Sequence, residues 1–159
     1  MAVSEAFLRL VSHPLQFRLF LLTKLPAAFF SGLKIENIDA GACTVSVPYK
    51  WLTKNPFRST YFASLSMAAE MSIGALAMAN TYKQTPPVSM LPVSIEGNFY
   101  KKAVGKTFFT CTDGIIISET IQQVILLNYP QTIKALTTGY NLQKEKIAEF
   151  WFTWSFKVK

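Results

Sequence analysis

From Ser59 to Ala79 every residue is small, apolar, aromatic or hydroxylic, with one exception: Glu70. Ala, Met and Leu dominate the run and favour a helix. A helix apolar on nearly every side belongs in a protein interior. An ionised carboxylate is costly there unless it is hydrogen-bonded, paired or protonated. Burial raises the pKa of such a group and suits it to act as a general base near neutral pH, or as a nucleophile. The structural alternative is a carboxylate held by backbone or by Arg58. Other candidates offer less. Asn55 precedes Pro56 in a pair that commonly opens a turn. Ser66 and Ser72 have no histidine near them in sequence and read as small residues at a helix interface. The single histidine, His13, lies in a helix-breaking His-Pro pair and is not expected in catalysis. Cys43 and Cys111 sit in strand-like segments and are expected to be buried free thiols. With one His and no Cys pair at ligand spacing, no metal site is predicted.

The elements that must position Glu70 follow from periodicity. Ser4 suits the cap of a short helix, and Pro14 the first turn of a second one reaching about Lys24. Pro26 opens a further turn that closes near Gly32. Two strands are predicted over 33–38 and 42–49, joined by Asp39-Ala40-Gly41. In the second, Cys43, Val45, Val47 and Tyr49 share a face. A loop over 51–59 leads into the buried helix, which ends near Asn80. Strands over 91–100 and 106–113 are linked by a KKAVG turn. The segment 115–128 reads as helix, despite its β-branched start. A hairpin across 143–146 then joins 132–142 to 147–158. The last strand alternates most clearly, with Phe150, Phe152, Trp154, Phe156 and Val158 on one side. Six strands and one buried helix predict an α+β domain whose antiparallel sheet wraps around that helix, the only element apolar enough to cover it.

Composition narrows the function classes. At 159 residues one domain, 1–159, is expected. Half the residues are hydrophobic and 16% charged, so apolar surface is expected to be hidden by self-association or a fatty ligand. The net charge of +7 is scattered; the densest places are Lys101-Lys102, Lys106 and Lys144 with Lys146. With no nucleic-acid motif beside it, a nucleic-acid partner is not expected. Near the N-terminus the longest uninterrupted apolar piece, Leu19 to Leu22, is too short for a membrane span or signal core. Contact with a membrane surface is not expected either. Free thiols fit a cytoplasmic setting.

Trp51, Asn55 and Ala68-Ala69-Glu70, within the order strand, strand, loop, buried helix, resemble the hotdog-fold acyl-CoA thioesterases. The likeness is greatest to the phenylacetate-pathway type and to an uncharacterised thioesterase-like branch near it, which shares a Leu-rich N-terminal helix. It covers most of the chain as topology and Trp51 to Gly74 as motif. It implies a hotdog core over 33–159 preceded by a helical segment over 1–32. It further implies hydrolysis of an acyl-CoA or acyl-carrier thioester with no metal or dissociable cofactor, coenzyme A being part of the substrate. In such enzymes a loop amide precedes the helix carboxylate by fifteen positions, the interval between Asn55 and Glu70. The resemblance thus gives Glu70 the role of base or nucleophile and has Asn55 orient water or the carbonyl. The backbone N–H of Phe62 would bind the oxyanion. Tyr61, Ala63 and Ser64 would lie beside the thioester, and Lys101 and Lys102 would meet coenzyme A phosphates. The chain departs from the pattern twice. Tyr61-Phe62-Ala63 replaces His-Gly-Gly, and Gly74 stands where one branch carries Thr. The implied assembly is a homodimer joined edge to edge that could pair again to a tetramer. The rival expectation is a non-catalytic module that binds an acyl chain or acyl-CoA.

Overall fold

The aromatic alternation at the C-terminus anchors the architecture. The structure, a computed structural model, describes residues 4–159. Strand β6 (Lys146–Val158) turns Phe150, Phe152, Trp154 and Phe156 inward, all buried. Each such side chain contributes on the order of 1.5–3 kcal/mol through burial. Strand β5 (Gln131–Asn141) pairs with it as the predicted hairpin. The remaining strands are β1 (Lys34–Ile38), β2 (Cys43–Val47), β3 (Val88–Phe99) and β4 (Thr107–Cys111). Together they form one antiparallel sheet in the order β1-β2-β4-β5-β6-β3.

The sheet wraps around helix α4 (Phe62–Thr81), whose Ala68, Ala69, Ala75 and Ala77 are buried. These small side chains let sheet and helix approach closely. Ser72 Oγ meets Thr137 Oγ1 of β5 at 2.8 Å and also bonds to the Ala69 carbonyl at 2.7 Å, so a buried hydroxyl is satisfied. The helix is long and apolar enough to cross a membrane, yet 67% of its most apolar window is buried inside the fold. Three helices precede the sheet: α1 (Glu5–Ser12), α2 (Pro14–Lys24) and α3 (Pro26–Ser31). Ser4 caps α1, and its backbone N–H bonds to the Ala79 carbonyl at 2.8 Å, tying the N-terminal helices to the end of α4. Gly32 closes α3 in the left-handed conformation, φ 78°.

Two expectations change. The segment over 115–128 is indeed a helix, α5 (Gly114–Leu127), but it packs against α4 and the sheet through Ile117, Ile121 and Val124. The central helix is therefore not the only cover. The KKAVG segment does not join neighbouring strands: β3 pairs with β6 at one edge, and β4 lies between β2 and β5. The chain crosses between them, and the Ala103 carbonyl is held by Thr60 N at 2.7 Å and Thr60 Oγ1 at 3.1 Å. Pro92 is tolerated within β3 because it lies at a register shift, between Pro92 and Ser94, on an edge strand.

Candidate functional site

The loop before α4 is a tight, internally bonded unit. Thr53 Oγ1 accepts from Lys50 N at 2.9 Å and donates to the Pro48 carbonyl at 2.7 Å. A bridge links Lys54 to Thr60, and Tyr61 N donates to the Thr53 carbonyl at 2.6 Å. Asn55 organises the tip. Its Oδ1 accepts from Phe57 N at 3.0 Å, from Ser59 N at 3.2 Å and from Ser59 Oγ at 3.2 Å. Those backbone donors fix which atom is the oxygen. The Nδ2 group is left without an acceptor among the described residues, so Asn55 can serve a ligand as a donor. The loop then enters α4 at Phe62 with no side-chain cap from Tyr61. The N–H groups of Phe62 and Ala63 have no acceptor among the described residues. Such donors, aligned with the helix dipole, favour an anionic oxygen.

These groups border an open cleft of about 590 Å³ lined by Asn55, Tyr61, Phe62, Leu65, Phe99 and Tyr100, with Lys101 and Lys102. Lys101 pairs with Glu145 at 2.6 Å, and Lys102 donates to the Phe57 carbonyl at 3.2 Å. Tyr100 donates to Glu149, which also pairs with Lys146.

Glu70 stands elsewhere. Eight residues of helix carry it about 12 Å along the axis from Phe62. Its carboxyl borders a second, smaller cavity of about 150 Å³ between the N-terminal helices and α4. The walls are apolar: Phe7, Phe17 and Leu21 on one side, Met71, Met78 and Met90 on the other. Glu70 has no hydrogen-bond or ion-pair partner among the described residues, and Arg58 does not reach it. Burial pushes its pKa above the ordinary 4.5. Gly74 lies one turn on, where an added Cβ would come within 3.0 Å of Glu70 Oε1. The missing side chain leaves the carboxyl its room.

Asn55, Tyr61, Phe62, Lys101 and Lys102 therefore share one cleft, while Glu70 faces another cavity of the same chain. Ala63 and Ser64 line neither, and Ser64 is buried, out of reach of a ligand in either space. Sequence reasoning missed the role of the N-terminal helices as the wall opposite Glu70. Phe17 and Leu21, four apart and both buried, were the available signal. It also missed Thr60, whose bonds to Ala103 hold the loop against the chain entering β4.

Comparison with known proteins gives the family. The chain belongs to the domain of unknown function DUF4442, whose model matches residues 16–123. A Pseudomonas aeruginosa protein of unknown function, described as a probable thioesterase, is 18% identical over 92% of this chain and 97% of its own, with TM-score 0.76. The E. coli PaaI protein, from the phenylacetic acid degradation operon, is 13% identical over 88% of this chain and 89% of its own, with TM-score 0.64. A Staphylococcus aureus thioesterase, solved as a variant with one glutamine replaced by alanine, is 16% identical over 82% of this chain and 97% of its own, with TM-score 0.59. A second variant of it replaces a glutamate fifteen positions later. No curated protein matches the sequence. At these identities the likeness establishes a thioesterase-like hotdog fold.

Proposed function

We propose that this DUF4442 chain hydrolyses an acyl-CoA or acyl-carrier thioester to a free acid and a thiol. One observation carries the reading: among the described residues Glu70 is a carboxyl group without a partner, in apolar surroundings, on the helix whose first turn offers N–H donors that none of those residues uses. Glu70 takes a proton from water as the water oxygen adds to the thioester carbon. The Phe62 N–H holds the resulting oxyanion, a contribution on the order of 10²–10³ in rate for one such donor. Collapse expels the thiolate, which receives the proton from Glu70. Direct attack by the carboxylate, giving an anhydride that water then cleaves, balances equally well. Asn55, through Nδ2, orients the carbonyl or the water. The interval from Asn55 to Glu70 equals that between the two residues replaced in the Staphylococcus aureus variants, which supports pairing these two roles. Lys101 and Lys102 add positive charge for coenzyme A phosphates. The reading calls on no metal and no dissociable cofactor, and the reaction is assigned to the cytoplasm.

The active form is a homodimer in which Glu70 of one protomer faces the Asn55–Phe62 cleft of the other, with further pairing to a tetramer open to it. Strand β3 supports this. It is an edge strand of 12 residues, and Leu91, Val93 and Ile95 are all more than half exposed. Isolated chains seldom leave so long an apolar edge uncovered. The strand ends at Phe99, itself part of the cleft wall, so a partner joined along β3 would reach the cleft directly.

A second reading, an acyl or acyl-CoA binding module without turnover, is favoured by Phe62. Phe62 is 56% exposed at the first position of α4, and its side chain fills space that a glycine there would leave open. Assays of short, long and aromatic acyl-CoAs with wild type and Glu70→Gln separate the two. Turnover that falls at least a hundredfold in the variant, with binding kept, is the expected result. Binding without turnover by either protein would replace the hydrolase with the binder.

A further inference from the structure

The cavity beside Glu70 has an unusual pair of walls. One is the core helix α4, through Met71, Gly74 and Ala75; the other is the N-terminal helical segment, through Phe17, Leu21 and Leu25. Apart from Glu70, every lining side chain is apolar. Water gains little in such a space, because it needs two to four polar partners. The space therefore suits an apolar group, and the carboxyl marks the end at which that group's polar atoms would sit. The volume, about 150 Å³, is that of a space able to take up benzene, and unlike an enclosed cavity it opens to solvent beside the exposed Leu25.

We propose that this cavity is the acyl subsite, and that Phe17, Leu21 and Leu25 limit its occupant to a group about the size of a benzene ring. The inference rests on the thioesterase reading and adds a substrate class to it: a short alkyl chain of about six carbons or a single aryl ring, not a long fatty chain. A thioester whose carbonyl lies within reach of a water at Glu70 has its acyl carbons next to these apolar walls. Leu21 is fully buried and Phe17 nearly so, so the far wall is closed by packed side chains. Leu25 is partly exposed and stands at the rim. The three methionines that line the space can shift to fit an alkyl chain or a ring, since thioether side chains are adaptable. The helices that supply the far wall precede the sheet altogether, so acyl size is set by a segment separate from the groups proposed to act on the carbonyl.

The test uses the full-length protein and small neutral probes, so that it does not depend on turnover. Titration with fluorobenzene, followed by ¹⁹F NMR, is expected to show saturable binding to wild type and to Glu70→Gln. Leu25→Trp, at the rim where bulk can be accommodated without disturbing the core, is expected to weaken it at least tenfold. Wild type is expected to exclude 1-fluoronaphthalene, and Leu21→Ala to admit it. No saturable fluorobenzene binding by wild type, or equal binding by wild type and Leu25→Trp, overturns the inference. So does equal uptake of both probes by wild type. If Leu21→Ala does not fold, the Leu25→Trp comparison decides. Thioester turnover without fluorobenzene binding removes the acyl subsite and leaves the hydrolase; fluorobenzene binding without turnover does the reverse.

Discussion

Replacing Glu70 by Gln should raise the stability of this protein, and by an amount that grows with pH. The cause is the position of the carboxyl, half-buried beside apolar walls and given no hydrogen bond or ion pair by the described residues. Its pKa is raised in the folded state, so the folded chain holds this proton at a pH where the unfolded chain has released it. Stability then falls as pH climbs above the ordinary 4.5 and on through the folded value, and the penalty is complete above both. At pH 4 the carboxyl is largely protonated in both states, and Gln should change little. At pH 8 the wild type bears the cost of a half-buried, unpaired carboxylate, on the order of 1 kcal/mol. For a chain of this size each kcal/mol corresponds to about 2–4 °C in Tm. The variant should therefore melt roughly 2–4 °C above wild type at pH 8 and close to it at pH 4. Thermal unfolding followed by circular dichroism at half-unit pH steps measures the difference directly. A variant destabilised to the same extent at every pH would refute the argument, because it would mean that the carboxylate makes a hydrogen bond or ion pair worth keeping.

Glu36 should behave in the opposite sense. Burial alone would raise its carboxyl, but hydrogen bonds from Lys106 at 2.6 Å, Ser46 at 2.7 Å and Lys34 outweigh burial and hold it at about 2. Glu36→Gln should cost about 1–2 kcal/mol at pH 7, discounted for its partial exposure, and the cost should shrink as pH falls from 4.5 toward 2; urea midpoints across that range check it. Ile95→Lys, on the exposed edge of β3, should convert a dimer to a monomer by light scattering coupled to size exclusion, with little loss of Tm; a wild type that is already monomeric would remove the edge-to-edge assembly. Cys111, whose thiol burial pushes up to about 12 and which lies opposite Cys43 in the β2–β4 pairing, should resist alkylation at pH 8 until denaturant is added. Rapid labelling of the native protein would contradict the burial of both thiols.

Much of the fold was legible because the strands carry period-two patterns strong enough to stand alone. The run from Phe150 to Val158 places four aromatic rings on one face, and only a buried sheet face can absorb them. Helix α4 was legible for the converse reason, being apolar on every side. The pairing of β3 was not. Nothing local in its residues says that its partner is β6, 47 positions beyond its end, rather than β4, eight positions on. The pairing lies in contacts between distant segments, β3 along β6 and the Ala103 carbonyl held by Thr60, which leave no trace in periodicity. The site divides along the same line. Asn55 and Phe62 are near in sequence, so the turn chemistry at Asn55-Pro56 and the spacing alone place them together. The apolar enclosure of Glu70 could be read from composition, but its far wall belongs to residues some fifty positions earlier. The pattern of Phe17 and Leu21 says only that one face of α2 is covered, not what covers it.

The separation of the two cavities has a mechanistic consequence. Proton transfer and nucleophilic attack require approach within about 3 Å, directly or through one water. Glu70 and the unused N–H groups at Phe62 are about 12 Å apart along one rigid helix. No side-chain rotation closes that gap, because a glutamate reaches only a few ångströms from its backbone, and bending α4 would disrupt its packing against four strands. A single chain therefore cannot bring its own Glu70 to its own oxyanion donors. Hydrolysis by these residues demands a second protomer, and the exposed edge of β3, ending at the cleft, is the surface that could dock one. This couples two measurements. If Ile95→Lys yields a folded monomer, turnover should vanish with the dimer even though Glu70, Asn55 and Phe62 are all intact. Mixing inactive Glu70→Gln with inactive Asn55→Ala should restore activity, because a mixed dimer keeps one site whole. A monomer as active as the dimer would show that the chemistry lies elsewhere, whatever the substrate.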